Sequence, residues 1–148
     1  MTSTARERAP RTVVLGDGPL GLDGYEAVVY GDASVALGDG DAVERHRAEL
    51  ERQVAGGARI YAVSTGYGAD AGRAVPVETI ARVQRDTLRS HAVGVGDPVP
   101  DAVVRGMLLI KAQAYAQGPA ALRREVVERL VEMLNRRIHP VVPLQGSQ

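Results

Sequence analysis

Nine consecutive residues, Ile60-Tyr-Ala-Val-Ser-Thr-Gly-Tyr-Gly68, hold the densest chemistry in the chain: two phenols, two hydroxyls and two glycines. An apolar start followed by a polar, glycine-rich run predicts a strand that opens into a loop, and such loops carry side chains into clefts. Tyr61 and Tyr67 are two of only five tyrosines. A phenol in this setting either reaches a cleft or packs on its own turn, and the residues alone favour neither. His91 is the second candidate. It follows Ser90, precedes the turn at Gly94-Val-Gly96, and falls on the stripe of its helix expected to face inward. Taken by itself, it reads most simply as a hydrogen-bonded core histidine. His46 reads as a helix-surface residue, and His139, before Pro140, as a cap on the preceding helix. The three histidines share no metal-ligand spacing and no cysteine completes a site, so no metal is expected. Gly16-Asp-Gly-Pro-Leu-Gly21 fits the G-x-G-x-x-G spacing of a phosphate-cradling turn. However, Asp17 would set a carboxylate against the phosphates and Pro19 removes a backbone donor. The apolar run before it is only four residues long, so no phosphate cradle is expected.

These residues must be positioned by short elements in the first half of the chain and helices in the second. Thr12–Leu15 and Ser34–Leu37 read as strands, each ending in Leu-Gly-Asp-Gly, a turn composition. Between them, residues 22–30 have helical apolar spacing. Asp41 is placed to cap a helix running to about Ala55, with Val43, His46, Leu50 and Val54 on one stripe and Gly56-Gly57 as its stop. A helix over about 77–93 sets Ile80, Gln84, Thr87, Leu88 and His91 on neighbouring positions. After the break at 97–101, residues 100–117 are apolar on almost every face, which predicts a helix buried all round. Residues 123–137 form a cleanly amphipathic helix, with Glu125–Arg129 and Glu132–Arg136 as i,i+4 pairs on its wet side. His139-Pro-Val-Val-Pro143 then reads as extended, an apolar segment close to the last residue that looks like an interruption of a longer pattern.

Length and composition set outer limits. A chain of 148 residues is long enough for about one domain. Val, Leu and Ile supply 25% of it in the absence of Phe and Trp, enough to build a folded core from aliphatic residues alone. Eighteen basic residues balance eighteen acidic ones, which removes the electrostatic footprint of a general nucleic-acid binder. The first residues lack a signal-peptide core and no apolar run approaches membrane-spanning length, so a cytoplasmic protein with no membrane partner is expected.

Four segments, in order, carry a resemblance to a known family. Tyr61-Ala-Val-Ser-Thr-Gly-Tyr-Gly68 resembles the Y-G-V-N-T-G-F-G segment of the aromatic amino acid lyases, which comprise the histidine, phenylalanine and tyrosine ammonia-lyases and related aminomutases. Leu88-Arg-Ser-His-Ala-Val-Gly-Val-Gly-Asp-Pro98 resembles L-R-S-H-A-A-G-V-G-E-P. Val103-Val-Arg-Gly-Met-Leu-Leu109 resembles V-V-R-A-M-L-L, and Ile138-His-Pro-Val-Val-Pro143 with Gly146-Ser147 resembles I-H-P-V-V-P-x-x-G-S. The chain also departs from the pattern. Ala62 stands for the usual Gly, Ser64 for Asn, Lys111-Ala-Gln113 for R-A-N, and Ala120-Ala-Leu-Arg123 for S-G-V-R; Val83-Gln-Arg-Asp-Thr87 stands where L-Q-x-N-L is common.

The resemblance implies a mainly α fold: a small α+β N-terminal region over 13–97, after a disordered tail at 1–12, and the first helices of a long bundle from 98 to 148. It implies that Tyr61 is the catalytic base for the substrate's β-proton, which needs a site that lowers the ordinary phenol pKa of about 10. It implies that Ser90 and His91 bind the substrate ring, in the manner of the histidine enzymes, and that Gly66 and Gly68 shape the active-site loop. The family's electrophile, methylidene-imidazolone, forms from an internal Ala-Ser-Gly, and none occurs here. The prosthetic group is therefore expected from a complementary C-terminal lyase polypeptide, in a hetero-oligomer that eliminates ammonia from an aromatic amino acid, histidine first. On this reading the chain is inactive and only marginally soluble alone. An aminomutase component, or a non-catalytic partner of an intact lyase, are the alternative roles.

Overall fold

A computed structural model describes residues 11–146. Residues 1–10 of the expected tail lie outside the described residues, and Thr12 already begins the first strand. Among the described residues, five α-helices and four short strands make the fold mainly α, as expected. The described residues form two compact units, one from those up to Arg47 together with Val99–Val141, the other from Ala48–Pro98 together with the segment from Val142 onward. It passes between them at 98/99, beside the boundary expected at 97/98, and also at 47/48 and 141/142, which a division linear in sequence does not contain.

In the first unit, β1 (Thr12–Leu15) and β2 (Ser34–Leu37) pair in parallel, from Thr12 opposite Ser34 to Leu15 opposite Leu37. Helix α1 (Leu22–Val29) makes the crossover. The run before Gly16 is thus a parallel strand, and only Leu15 of its four residues is buried. A two-stranded sheet leaves open edges, and one is closed by a side chain. Asn135 Nδ2 donates to the Val35 carbonyl and Asn135 Oδ1 accepts the Val35 N–H, both at 2.8 Å, so a single amide stands in for a third strand. The side-chain acceptor at the start of helix α2 (Asp41–Ala55) lies two residues earlier than expected: Asp39 Oδ1 accepts the Asp41 N–H at 3.0 Å, and Asp41 lies inside the helix.

The core of this unit is aliphatic. Leu15, Val28, Val43, Leu109, Val127 and Leu134 are fully buried, each worth about 1.5–3 kcal/mol of transfer free energy. Helix α4 (Asp101–Ala116) begins directly after Pro100, which costs nothing where the first N–H groups have no helical partner. It was expected to be buried on all sides. Within the unit only one face is covered, through Val104, Leu109, Ala112 and Ala116, while Val103, Met107 and Ile110 form an exposed apolar stripe at helical spacing. Helix α5 (Arg124–Asn135) turns Val127 and Leu134 inward. On its wet side Glu132 pairs with Arg136 as expected, at 3.0 Å, but Arg129 pairs with Glu132 instead of Glu125. Arg105 is a buried guanidinium without a carboxylate. Its Nε donates to the Val28 carbonyl at 2.7 Å and its Nη1 to the Leu134 carbonyl at 2.6 Å, at the C-terminal ends of α1 and α5, where helix dipoles favour a cation. Burial, with a smaller contribution from Arg137, lowers its pKa from the usual arginine value.

In the second unit, α3 (Ile80–His91) follows a 3-10 turn at Val77–Thr79, so the helix expected over 77–93 is shorter at both ends. Val95–Pro98, expected as a turn and a break, is strand β3. It pairs antiparallel with β4 (Pro143–Gln145), Val95 opposite Gln145 and Pro98 opposite Pro143. No described helix is long and apolar enough to cross a membrane.

Candidate active-site loop and groove

The segment from Ile60 is not a strand. The N–H groups of Val63 and Ser64 both donate to the Ile60 carbonyl, at 3.1 and 3.0 Å, and close a tight turn. Ala62 takes φ +62° within it, a left-handed conformation that a Cβ disfavours by about 1–2 kcal/mol. Ala62 is one of the departures noted above, and its conformation is one that a glycine adopts without strain. Ser64, another departure, staples the turn. Its Oγ donates to the Ala58 carbonyl at 2.7 Å and accepts the Ile60 N–H at 2.8 Å. Thr65, the one buried residue among the second unit's described residues, accepts the Ala62 N–H at 3.3 Å and donates to the Gly66 carbonyl at 3.1 Å. From α3, Gln84 Nε2 donates to the Ala62 carbonyl at 2.8 Å. Beyond the turn, Val75 N–H donates to the Ser64 carbonyl and Gly66 N–H to the Arg73 carbonyl, so residues 64–75 fold back as a closed loop.

This frame sets the two loop glycines and the two phenols. A Cβ on Gly66 would lie 2.7 Å from the Asp70 carbonyl oxygen, and Gly68 has φ +52°. The Gly68 N–H donates to the Tyr61 phenol oxygen at 3.3 Å. Tyr61 and Tyr67 meet edge to face, with ring centroids 6.2 Å apart. Tyr61 nonetheless stays 61% exposed. Of the two alternatives left open by the residues, the ring packs against its own loop, while most of it remains accessible.

His91 was expected on an inward stripe. It is exposed, and no residue of α3 is buried, because nothing in this unit covers the helix's apolar positions. Its ring is oriented all the same. Nδ1 lies 2.9 Å from the Thr87 carbonyl oxygen and 3.0 Å from Ser90 Oγ, while Ser90 Oγ itself donates to the Thr87 carbonyl at 2.9 Å. A carbonyl only accepts, so Nδ1 carries a proton, and in the neutral form of the ring Nε2 is the nitrogen that accepts. An open groove of about 560 Å3 is lined by Gly66, Tyr67, Thr87, Ser90 and His91 together with Arg73 and Arg82. Gly66, Ser90 and His91 are thereby brought to one surface; Tyr61 is not in its lining but touches it through Tyr67. Tyr67 was noted from sequence only as the second phenol of the loop, and Ser64 only as a departure from the family pattern; neither was given a role in the site. Thr65 and Gln84 were not singled out, and of these two Gln84 left a signal, through its place on the same helix face as His91.

The other motifs take structural roles. Gly16 N–H is satisfied by Gln113 Oε1 at 3.3 Å, Gln113 Nε2 donates to the Gly18 carbonyl at 2.7 Å, and the Asp17 carboxylate lies against Gly38. The Gly16 turn is therefore clamped by a buried glutamine from α4. His139 does not cap α5. That helix closes through its backbone, with Ile138 N–H donating to the Met133 carbonyl at 2.9 Å and Arg137 at φ +54°. His139 Nε2 is buried without a partner among the described residues. His46 is exposed, its Nδ1 2.7 Å from the Ala42 carbonyl oxygen.

Comparison with known proteins adds an independent line. Residues 20–148 match the family model described as aromatic amino acid lyase. A histidine ammonia-lyase from Koribacter versatilis is 44% identical over 131 residues, covering 86% of this chain and 25% of that protein. Among solved structures, ergothionase from Treponema denticola, in complex with desmethyl-ergothioneine sulfonic acid, superposes with a TM-score of 0.86 at 28% identity, covering 92% of this chain and 28% of the other. Tyrosine aminomutase from Streptomyces globisporus gives 0.82 at 27% identity, covering 93% and 26%. The chain spans about a quarter of the length of the relatives it matches.

Proposed function

The chain belongs to the aromatic amino acid lyase family, and from that premise we propose that it contributes one wall of an ammonia-lyase active site, with Tyr61 as the base and Ser90 and His91 as contacts to the substrate ring. The reaction is elimination of ammonia from an aromatic amino acid, histidine first. A β-carbon C–H bond and the α-carbon C–N bond break, the α,β double bond forms, the proton passes to Tyr61 Oη and ammonia leaves. The observation that carries this reading is the setting of Tyr61: its oxygen is fixed by the Gly68 N–H, yet most of the ring is open to whatever completes the site. The choice of histidine rests on the resemblance of Ser90-His91 to the histidine enzymes; an accepting His91 Nε2 suits an imidazole N–H, as it would a phenol O–H.

The electrophile that activates the amino group in this family is methylidene-imidazolone. No Ala-Ser-Gly occurs in these 148 residues, so the group must be supplied by polypeptide outside them. We place it on a complementary lyase chain within a hetero-oligomer. The exposed Val103, Met107 and Ile110 stripe is compatible with helical polypeptide covering α4. Co-expression with a complementary polypeptide bearing the triplet tests this. The expected result is consumption of L-histidine with one ammonia and one α,β-unsaturated acid per turnover. A folded complex that consumes no aromatic amino acid contradicts it.

One observation favours a second reading. The fold is shared with tyrosine aminomutase at 27% identity. An aminomutase returns ammonia to the β-carbon, so a β-amino acid among the products of the same assay would replace the lyase assignment.

A further inference from the structure

No residue of α3 is buried, so packing does little to seat the helix against the loop that carries Tyr61. One side chain bridges the two. Gln84 Nε2 donates to the Ala62 carbonyl at 2.8 Å, and among the described residues this is the one hydrogen bond that joins residues 60–75 to α3. The acceptor belongs to the residue after Tyr61, the left-handed alanine of the turn. Thr65 holds the Ala62 N–H from within the loop, so Gln84 is the attachment from outside it. Gln84 itself does not line the groove beside Tyr67 and His91.

We propose that Gln84 is a positioning residue for the base. By holding the Ala62 carbonyl it fixes the Tyr61 turn relative to His91, and it acts on the reaction through Tyr61 without touching the substrate. Placement along α3 supports this. Gln84 and His91 are seven residues apart, about two helical turns, so they share one face at roughly 10.5 Å along the axis. One end of that face carries the attachment of the turn, and the other carries the imidazole. A single helix thus sets the spacing between the group that takes the β-proton and the group that meets the ring. Misplacing a reacting group by about 1 Å costs on the order of 100-fold in rate, so a solvent-exposed hydrogen bond that adds little stability can still govern alignment. The inference rests on the proposed ammonia-lyase reading for the role of Tyr61; the attachment of the turn to α3 does not.

The test compares Gln84→Glu, which keeps the size and removes the donor, with Gln84→Lys, which restores a donor at similar reach. The position is exposed, so neither variant should move the unfolding midpoint of the full chain. The Val63 N–H shares a peptide plane with the Ala62 carbonyl and reports on the attachment directly. In the full chain its exchange is expected to quicken about threefold or more in the Glu variant and to slow again in the Lys variant. In the complex with the electrophile-bearing polypeptide, the Glu variant is expected to lower kcat for L-histidine about tenfold or more, with KM held within about twofold, and the Lys variant to recover most of kcat. Unchanged exchange in the Glu variant, a rise in KM at constant kcat, or a loss of kcat that the Lys variant does not recover would each overturn the role of Gln84. The two readings fail separately. Turnover at unchanged kcat in the Glu variant removes the role of Gln84 and leaves the lyase. A complex that never turns over, while the exchange difference and its rescue persist, removes the lyase and with it the base, and leaves Gln84 only as the tie between the turn and α3.

Discussion

The two units of the chain are stabilised in different ways. In the first, every fully buried large side chain is aliphatic, and polar groups enter only to finish what packing leaves open: Arg105 on two helix ends, Asn135 on a strand edge, Gln113 on the Gly16 turn. In the second, the one buried described residue is a threonine, and hydrogen bonds from Ser64, Thr65 and Gln84 hold the loop that carries Tyr61. The unit with the candidate site is therefore the one with little hydrophobic burial of its own. That is the expected distribution where a loop must be shaped for function while a separate core supplies stability.

Substitutions can break or sharpen this contrast. The largest stability effect belongs to Leu109→Ala on α4, where the side chain is fully buried; a loss of about 2–5 kcal/mol is expected by chemical denaturation. Its counterpart in the second unit, Leu88→Ala on α3, is 74% exposed and should stay within about 0.5 kcal/mol. Equal effects would erase the distinction. Asn135→Ala removes both hydrogen bonds to Val35 and should cost about 1–3 kcal/mol, with faster amide exchange in β2. Thr65→Val keeps the shape of the buried side chain but strands the Ala62 N–H. A loss of about 1 kcal/mol is expected, read as faster exchange confined to residues 60–66. The smallest effect carries the opposite sign. Ala62→Gly relieves a left-handed alanine and should stabilise the turn by about 0.5–1 kcal/mol, visible as slower exchange at Val63 and Ser64.

Much of the first unit was legible because its elements announce themselves locally. Apolar spacing located α1, α4 and α5 to within two residues, and the glycines at 56 and 57 stopped α2 as expected. What sequence did not show depended on distant partners. Val95–Pro98 contains glycine and proline, and becomes a strand only because Pro143–Gln145 pairs with it. The apolar look of α4 promised burial on all sides, while its outer stripe has no cover within the unit. At the candidate site, the local geometry was not legible in the sequence. Ile60 to Val63 has the composition of a strand, but Ser64 and Thr65 bind back to the preceding backbone and turn it instead. His91 was read as inward from helical phase, yet the rest of the unit offers no wall for α3 to face.

The central claim is that the polar, open unit supplies the base. The most direct measurement is ammonia release from L-histidine by the assembled enzyme with Tyr61 or with Tyr61→Phe. Phenylalanine keeps the edge-to-face contact with Tyr67 and removes only the oxygen held by Gly68. The account predicts a fall in kcat of about 100-fold or more, the usual range for losing a general base, with little change in KM. An unchanged kcat in the Phe variant would contradict it and take Tyr61 out of the reaction.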